Sequence, residues 1–317
     1  MSAASIILCP GQGAQAVGMG SAWRAASPEA ARVFAAADAA IDLSAQGGPL
    51  SKLCTEGPAD VINRTDVSQP ALYTCAIASL RAMEADGAIG AIHSCAGLSL
   101  GEYTALHIAG AFSFEDGLRL VAIRGRLMQQ AAEASRGGMV ALIGADETQA
   151  QAVCDAAAQG EVLVCANFNA PGQIVLSGTL AACDRAVEAA GTVGCRATKL
   201  QVAGAFHSPL MQPAADAMAA ALEKTTFSPL DRDVWSNVTA APHARNDSVT
   251  LRKLLVQQIV TPVRWSQSMA ALAASLAGTP VRPAIHELAP GSVLKGLMRR
   301  IDKSCEVTSH DSPPKPA

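Results

Sequence analysis

Residues Cys95-Ala96-Gly97-Leu98-Ser99-Leu100-Gly101-Glu102-Tyr103-Thr104-Ala105-Leu106 decide how this chain folds. Within them, Gly97 to Gly101 fit the pattern G-x-S-x-G. In that pattern a sharp strand-to-helix turn holds a serine hydroxyl clear of the backbone, and the glycines relieve the crowding. Five residues are a short pattern, so the flanks carry the argument. Upstream, the apolar stretch from Ala88 to Ala96 is compatible with a buried strand. Downstream, Glu102 to Ala109 places apolar residues at helical spacing with no breaker until Gly110. The order strand, elbow, helix predicts that Ser99 is a nucleophile rather than a glycine-flanked turn serine.

The same rhythm extends outward. Ser5-Ile6-Ile7-Leu8-Cys9 reads as a buried strand broken by Pro10-Gly11-Gln12-Gly13, and alanine-rich helical stretches follow around 27–41, 70–86 and 114–134. Strands and helices alternating at these lengths predict a parallel α/β sheet. From Gly137 the pattern changes to strand 139–143, helix 146–159, strands 162–166 and 174–177, helix 180–190 and strand 197–202. That is β-α-β-β-α-β, the split βαβ or ferredoxin-like unit. The expected architecture is therefore a hydrolase-like parallel-sheet large domain, residues 1–136 and 203–307, with a small ferredoxin-like domain inserted at 137–202. Beyond it, a helix over 210–224, a strand at 234–238, a helix over 249–260, a strand at 284–288 and a last helix to about 301 complete the large domain. The polar, proline-rich stretch 308–317 reads as a disordered tail.

Composition narrows the function. Of 317 residues, half are hydrophobic, 16% are charged and 3% aromatic, with a net charge of −3. This leaves neither the basic field nor the stacking platforms that nucleic-acid binding needs. No apolar run is long enough for a membrane span or a signal-peptide core. Nine cysteines, scattered and without C-x-x-C, fit a reducing cytoplasm better than a disulfide framework. The six histidines form no metal-ligand pattern, so no metal is expected.

A serine nucleophile needs a base, and His207, in Gly204-Ala205-Phe206-His207-Ser208-Pro209, lies on a loop where the chain returns to the large domain. A hydrogen-bonded loop histidine is the plain alternative. The other histidines sit within elements, in a polar loop (His243) or in the tail. An oxyanion needs fixed donors: the Leu100 amide is one, at a helix start, and the loop Pro10 to Gln15 is a source of a second. That loop also formally fits a dinucleotide fingerprint, Gly11-x-Gly13-x-x-Ala16, although the acidic strand end expected some 20 residues on is missing. Arg124 falls on the apolar stripe of helix 114–134. A buried guanidinium needs an anion, and its fork suits a carboxylate; an internal salt bridge and a substrate carboxylate both satisfy periodicity.

These pieces resemble a known family. GLSLGEYTAL, PGQGAQ near the N-terminus, EGPADVINRTDVSQPAL (56–72), IRGRLMQ (123–129), NFNAPGQIVLSG (167–178), AFHSPLM (205–211), VQQIVTPVRW (256–265) and ELAPGSVLKGL (287–297) are similar, in order, to the malonyl-CoA:acyl carrier protein transacylases of type II fatty acid synthesis. The resemblance implies Ser99 as the nucleophile that takes malonyl from coenzyme A and His207 as its base. It implies an oxyanion hole from the amides of Gln12 and Leu100, and pairing of Arg124 with the malonyl carboxylate. Gln258 resembles the position whose backbone carbonyl orients the histidine, making a Ser-His dyad without a third acid. Asn167 and Asn169 resemble small-domain residues lining the cleft. Gly204-Ala205-Phe206-His207 is similar to the malonyl-type signature H-A-F-H, with Phe206 narrowing the pocket against an α-methyl branch. Leu98 replaces a histidine found in many members, at the variable position of the elbow. The implied partners are malonyl-CoA and an acidic acyl carrier protein, with Lys295, Arg299 and Arg300 as candidate docking residues. No cofactor is expected, coenzyme A being part of the substrate, and nothing in the chain demands more than a monomer. Alternatives within the fold are a freestanding acyltransferase of a polyketide synthase and an editing acyl hydrolase; outside it stand an esterase and a catalytically dead partner-binding subunit. Arg124 argues against the esterase, and Ser99 with His207 against the dead subunit.

Overall fold

A computed structural model describes residues 4–279 and 281–314. Strands β1 (Ser5–Cys9) and β2 (Ile92–Gly97) lie side by side and parallel, pairing Leu8 with Ala96 and Cys9 with Gly97. Later strands flank this pair. The second sheet comprises β3 (Gly137–Ile143), β4 (Leu163–Ala170), β5 (Gln173–Thr179) and β6 (Arg196–Lys199). The first sheet gains β7 (Asp233–Trp235), β8 (Ala284–Glu287) and β9 (Val307–Ser309). Its order is β7-β2-β1-β8-β9, every pair parallel. Parallel strands need crossovers that cover both faces, which is why Ile6, Ile7, Leu8 and Cys9 are all fully buried.

The long helices lie where the alanine-rich stretches put them, at Pro28–Ala40, Thr65–Ala85 and Phe114–Ser135, the second starting at Thr65 ahead of the expected 70. The starts of the first and third follow side-chain chemistry. Ser27 accepts from the Ala30 amide and Ser113 from the Asp116 amide, each satisfying a donor that the first helical turn leaves unpaired. Thr65–Ala85 is buried along nearly its whole length, wrapped between the sheet and neighbouring helices, so it carries no clean polar face.

The second sheet runs β4-β5-β3-β6, antiparallel throughout. Renumbered within the unit this is 2-3-1-4, the strand order of the ferredoxin-like fold, with helices Glu147–Ala158 and Leu180–Ala190 as its two crossovers. Asp146 and Gln149 close a reciprocal capping box at the first, and Thr179 caps the second. The unit has its own core, built on Val140, Leu142, Val153 and Leu176.

Several boundaries differ from the sequence expectation. β2 begins at Ile92 rather than Ala88, because the Gly90 amide turns aside to the Ser5 hydroxyl. β6 stops at Lys199, three residues short of the expected strand, leaving Leu200 to Val202 as irregular chain. The strand expected at 234–238 ends at Trp235, because Asn237 is drawn into side-chain bonds beneath the elbow. Helix Trp265–Ser275 escaped the sequence reading; its alanine-rich span buries Trp265, Met269 and Leu272 in a second core with Ile6 and Leu8. The expected tail from Thr308 is corrected most. Val307–Ser309 adds an edge strand to β8, the His310 carbonyl accepts from Trp23 Nε1, and Asp311 accepts from the Gly291 amide. Polar side chains misled the reading because an edge strand needs only backbone groups for pairing. Residues 315–317 lie outside the described residues.

All nine cysteines are free and buried. Among the described residues, no helix is long and apolar enough to cross a membrane.

Candidate active site

β2 ends at Gly97, and helix Gly101–Ile108 starts four residues later, so the chain reverses almost on itself. A methyl group at Gly97 would collide with the Gly101 carbonyl, and one at Gly101 with the Cys9 carbonyl of neighbouring β1. The two glycines are thus a steric requirement of the turn. Ser99 sits between them with φ 52°, in the left-handed region that non-glycine residues rarely occupy. Such a conformation stores about 1–3 kcal/mol and persists only where its surroundings impose it. Here Asn237 imposes it, its Oδ1 accepting from the Ser99 amide at 2.6 Å and its Nδ2 donating to the Gly97 carbonyl at 2.8 Å.

His207 comes to the elbow from the loop after β6. It too has a positive φ, 55°. Its Nδ1 lies 2.8 Å from the Gln258 carbonyl and its Nε2 lies 2.8 Å from Ser99 Oγ. A carbonyl only accepts, so Nδ1 carries the proton and Nε2 is left as the acceptor for the Ser99 hydroxyl. Burial, with the Arg124 charge adding to it, pushes the His207 imidazolium down to about 4, while the Gln258 carbonyl works in the opposite direction. At neutral pH the ring is therefore an uncharged base.

Arg124 is 1% exposed. Its Nη1 donates to Gln69 Oε1 at 2.7 Å, while Nη2 donates to Gln258 Oε1 at 2.9 Å and to Ser99 Oγ at 3.1 Å. Nε is buried without an acceptor among the described residues. Burial lowers the guanidinium from its ordinary value, with nearby Tyr103 and Glu102 working against that shift. None of the ion pairs among the described residues involves Arg124. The internal salt bridge left open by periodicity is therefore not formed, and a buried cation faces Ser99 Oγ with a spare donor.

These groups open onto a cavity of about 360 Å³ between the two sheets. Ser99, Leu100, Arg124 and His207 line one side, and Asn167 and Asn169 of β4 the other. Gln12, Leu98 and Phe206 also border it, as do Leu200 to Val202, the irregular residues beyond β6. No hydrogen bond among the described residues engages the backbone amide of Gln12 or Leu100, although the Gln12 side chain donates to Thr65 Oγ1. Both are thus free donors at the cavity wall. Asn169 Oδ1 is buried and unpaired among the described residues. The dinucleotide reading of Gly11 to Ala16 is not met, since no helix starts at that loop and the first begins at Ser21. Lys295, Arg299 and Arg300 are exposed on helix Val293–Ile301 but do not line the cavity.

Four residues were missed by the sequence reading: Gln69, Glu102, Asn237 and His243. Glu102 is 1% exposed, accepting from His243 Nε2 and Gln258 Nε2, both at 2.6 Å, and from the Asn237 amide at 3.2 Å. His243, read as a polar-loop residue, is 5% exposed. Periodicity carried a signal for Glu102 alone, as a charge within an apolar helical run.

The sequence profile of the acyl transferase domain matches residues 6–309. A malonyl CoA-acyl carrier protein transacylase of Salmonella typhimurium is 39% identical over 306 residues, which are 96% of this chain and 94% of that protein. The protein of the same name from Bacillus subtilis is 36% identical over 308 residues, covering 96% of this chain and 93% of its own. Among solved structures, a malonyl CoA-acyl carrier protein transacylase from Coxiella burnetii superposes with a TM-score of 0.91 at 34% identity, covering 98% of this chain and 95% of that one. A malonyl-transacylase in complex with a type II PKS acyl-carrier protein superposes with a TM-score of 0.90 at 34% identity, covering 98% and 96%.

Proposed function

Because the chain belongs to the acyl transferase domain family, we propose that it moves a malonyl group from malonyl-CoA to the phosphopantetheine thiol of an acyl carrier protein, supplying fatty acid synthesis in the cytoplasm. The observation that carries this reading is the convergence on one oxygen. Ser99 Oγ lies 2.8 Å from His207 Nε2 and 3.1 Å from Arg124 Nη2, so the nucleophile sits between its base and a cation suited to a carboxylated acyl chain.

The reaction runs in two halves. His207 Nε2 takes the Ser99 hydroxyl proton as Oγ attacks the thioester carbonyl, and the amides of Gln12 and Leu100 hold the resulting oxyanion. Collapse breaks the carbon–sulfur bond, and the imidazolium returns its proton to the coenzyme A thiolate. The carrier-protein thiol then gives its proton to His207 and attacks malonyl-Ser99; collapse breaks the carbon–Oγ bond, and the imidazolium passes that proton to Oγ, restoring the serine hydroxyl. Through both halves the Gln258 carbonyl holds Nδ1–H, stabilising the imidazolium without a third side-chain acid.

Arg124 supplies the choice of substrate. Desolvating a carboxylate is costly unless it is paired, and the arginine offers a fork whose protein partners, Gln69, Gln258 and Ser99, are all neutral. The reading needs no cofactor. Residues 137–202 act in it as a small domain closing the cleft, with Asn167, Asn169 and Phe206 shaping the acyl site. Lys295, Arg299 and Arg300 are candidates for docking an acidic carrier, and a single copy suffices.

The test is acylation in two steps. Incubation with malonyl-CoA should place a malonyl adduct on Ser99, visible by intact mass and peptide mapping, and acyl carrier protein should then remove it as malonyl-carrier protein. An adduct persisting in Ser99→Ala would sink the proposal. Release to water rather than to the carrier would point to an editing hydrolase instead.

A further inference from the structure

A carboxylate beneath the elbow has no part in the chemistry above. Glu102, in the first turn of helix Gly101–Ile108, turns its side chain inward. Oε1 accepts from His243 Nε2, and Oε2 accepts from Gln258 Nε2. Gln258 in turn accepts from Arg124 Nη2 through Oε1. Carboxylate, primary amide and guanidinium therefore form a relayed ion pair: the anion never touches the cation, but each touches one end of the same amide.

The direction of that amide is what matters. A glutamine side chain presents an acceptor at one end and donors at the other, and only its surroundings decide which way it points. A carboxylate that already accepts from His243 and the Asn237 amide demands the Nε2 end, as does the Ser99 carbonyl, which accepts from Nε2 at 3.0 Å, and together they leave Oε1 toward Arg124. Reversed, the amide would put its own N–H groups against a buried cation. His243 takes part by occupying Oε1 of the carboxylate, which leaves Oε2 for Gln258. The Asn237 amide, donating to Oε2 as well, ties the same carboxylate to the residue that holds Ser99.

We propose that Glu102 and His243 are a positioning pair that orients the Gln258 side-chain amide, and through it holds Arg124 ready for the acyl carboxylate. The relay explains how an arginine stays buried without a contacting acid: a direct salt bridge would neutralise the cation needed by the substrate, whereas an amide-mediated one leaves its donors available. This inference rests on the reading of Arg124 as the carboxylate-binding residue. It predicts an effect on selectivity that a merely structural role for Glu102 would not produce.

The experiment compares self-acylation of the full chain by malonyl-CoA and by acetyl-CoA, which lacks the carboxylate. Glu102→Gln can accept the reversed amide, so its kcat/KM for malonyl-CoA should fall by about tenfold or more and that for acetyl-CoA by less than about threefold. Gln258→Met, which keeps the carbonyl that holds His207, should show the same selective loss, and the double variant should lose no more than the worse single. Equal losses for both thioesters, or additive ones, would overturn the relay. If Glu102→Gln does not fold, His243→Ala decides in its place: freeing Oε1 lets the carboxylate turn from Gln258, so the loss should again be selective, and an unselective loss overturns the inference. Arg124→Ala runs alongside. If it is selective while Glu102→Gln is not, only the relay fails; if Arg124→Ala is itself unselective, the carboxylate reading fails and the relay with it.

Discussion

Arg124 Nη2 donates to Ser99 Oγ at 3.1 Å, so the cation and the elbow hydroxyl are in direct contact before any substrate arrives. The serine oxygen accepts from the guanidinium while its proton points to His207 Nε2. A positive charge on that lone pair favours developing negative charge on the oxygen. It also couples two roles, since a group that draws Arg124 away changes the environment of Ser99.

Arg124→Ala should therefore reduce kcat/KM for malonyl-CoA by about 10- to 100-fold, the range expected for losing hydrogen bonds to a charged group. The loss with acetyl-CoA should be smaller. Steady-state kinetics with both thioesters checks this, and comparable losses would return Arg124 to a structural role.

Acid should remove activity through His207. Its imidazolium is pushed down to about 4, and only the neutral ring accepts the Ser99 proton. The acylation rate should thus rise with pH through about 4 and stay level across the neutral range. Single-turnover acylation over a pH series measures it; a midpoint near the ordinary histidine value of about 6.5 would mean that the ring is far better solvated than its burial implies.

The same shift acts on folding. In the unfolded chain His207 protonates near its ordinary value, whereas in the folded protein it resists protonation until about 4. The unfolded state therefore binds more protons between those values. The contribution is fully present above about 6.5 and is lost as pH falls toward 4, amounting to about 3 kcal/mol. Urea unfolding midpoints should fall over that window, and His207→Gln should flatten the fall.

At the elbow, Gly97→Ala and Gly101→Ala each set a methyl group against a backbone carbonyl, and backbone cannot yield as a flexible side chain does. Each should destabilise the protein by about 1–3 kcal/mol or more and remove acylation of Ser99. Thermal unfolding together with the adduct assay separates these from a glycine whose loss is harmless.

Asn237→Ala removes the acceptor of the Ser99 amide and the donor to the Gly97 carbonyl. Ser99 would relax from its left-handed conformation. The acylation rate should drop by about tenfold or more, with a stability loss of about 1–3 kcal/mol for the buried groups left unpaired. A variant with full activity would show that packing alone holds the elbow.

Local chemistry was legible in the sequence. The elbow, the long helices and the β-α-β-β-α-β order follow from spacing and glycines, because each depends on residues a few positions apart. Arg124 could be assigned to a buried stripe by the 3.6-residue period, and β1 and β2 by short apolar runs. The tail and helix Trp265–Ser275 were not legible: the first is ordered by backbone pairing with β8, the second by contacts with Ile6 and Leu8, more than 250 residues away in the chain. Candidate site residues could be named where they sit in motifs. Asn237, His243 and Gln69 lie in no motif and gain meaning only from what they face.

Spacing and periodicity alone thus specify a serine held on a strained turn, a histidine on a loop and an arginine on an apolar stripe. The tertiary structure decided their relations: that His207 accepts from Ser99 because Gln258 occupies its other nitrogen, and that Arg124 meets neutral amides in place of an acid. It also decided that Glu102 and His243 close the network from below. Periodicity reports which face of an element is buried, but the identity of the group across that face depends on chain segments brought together only by folding.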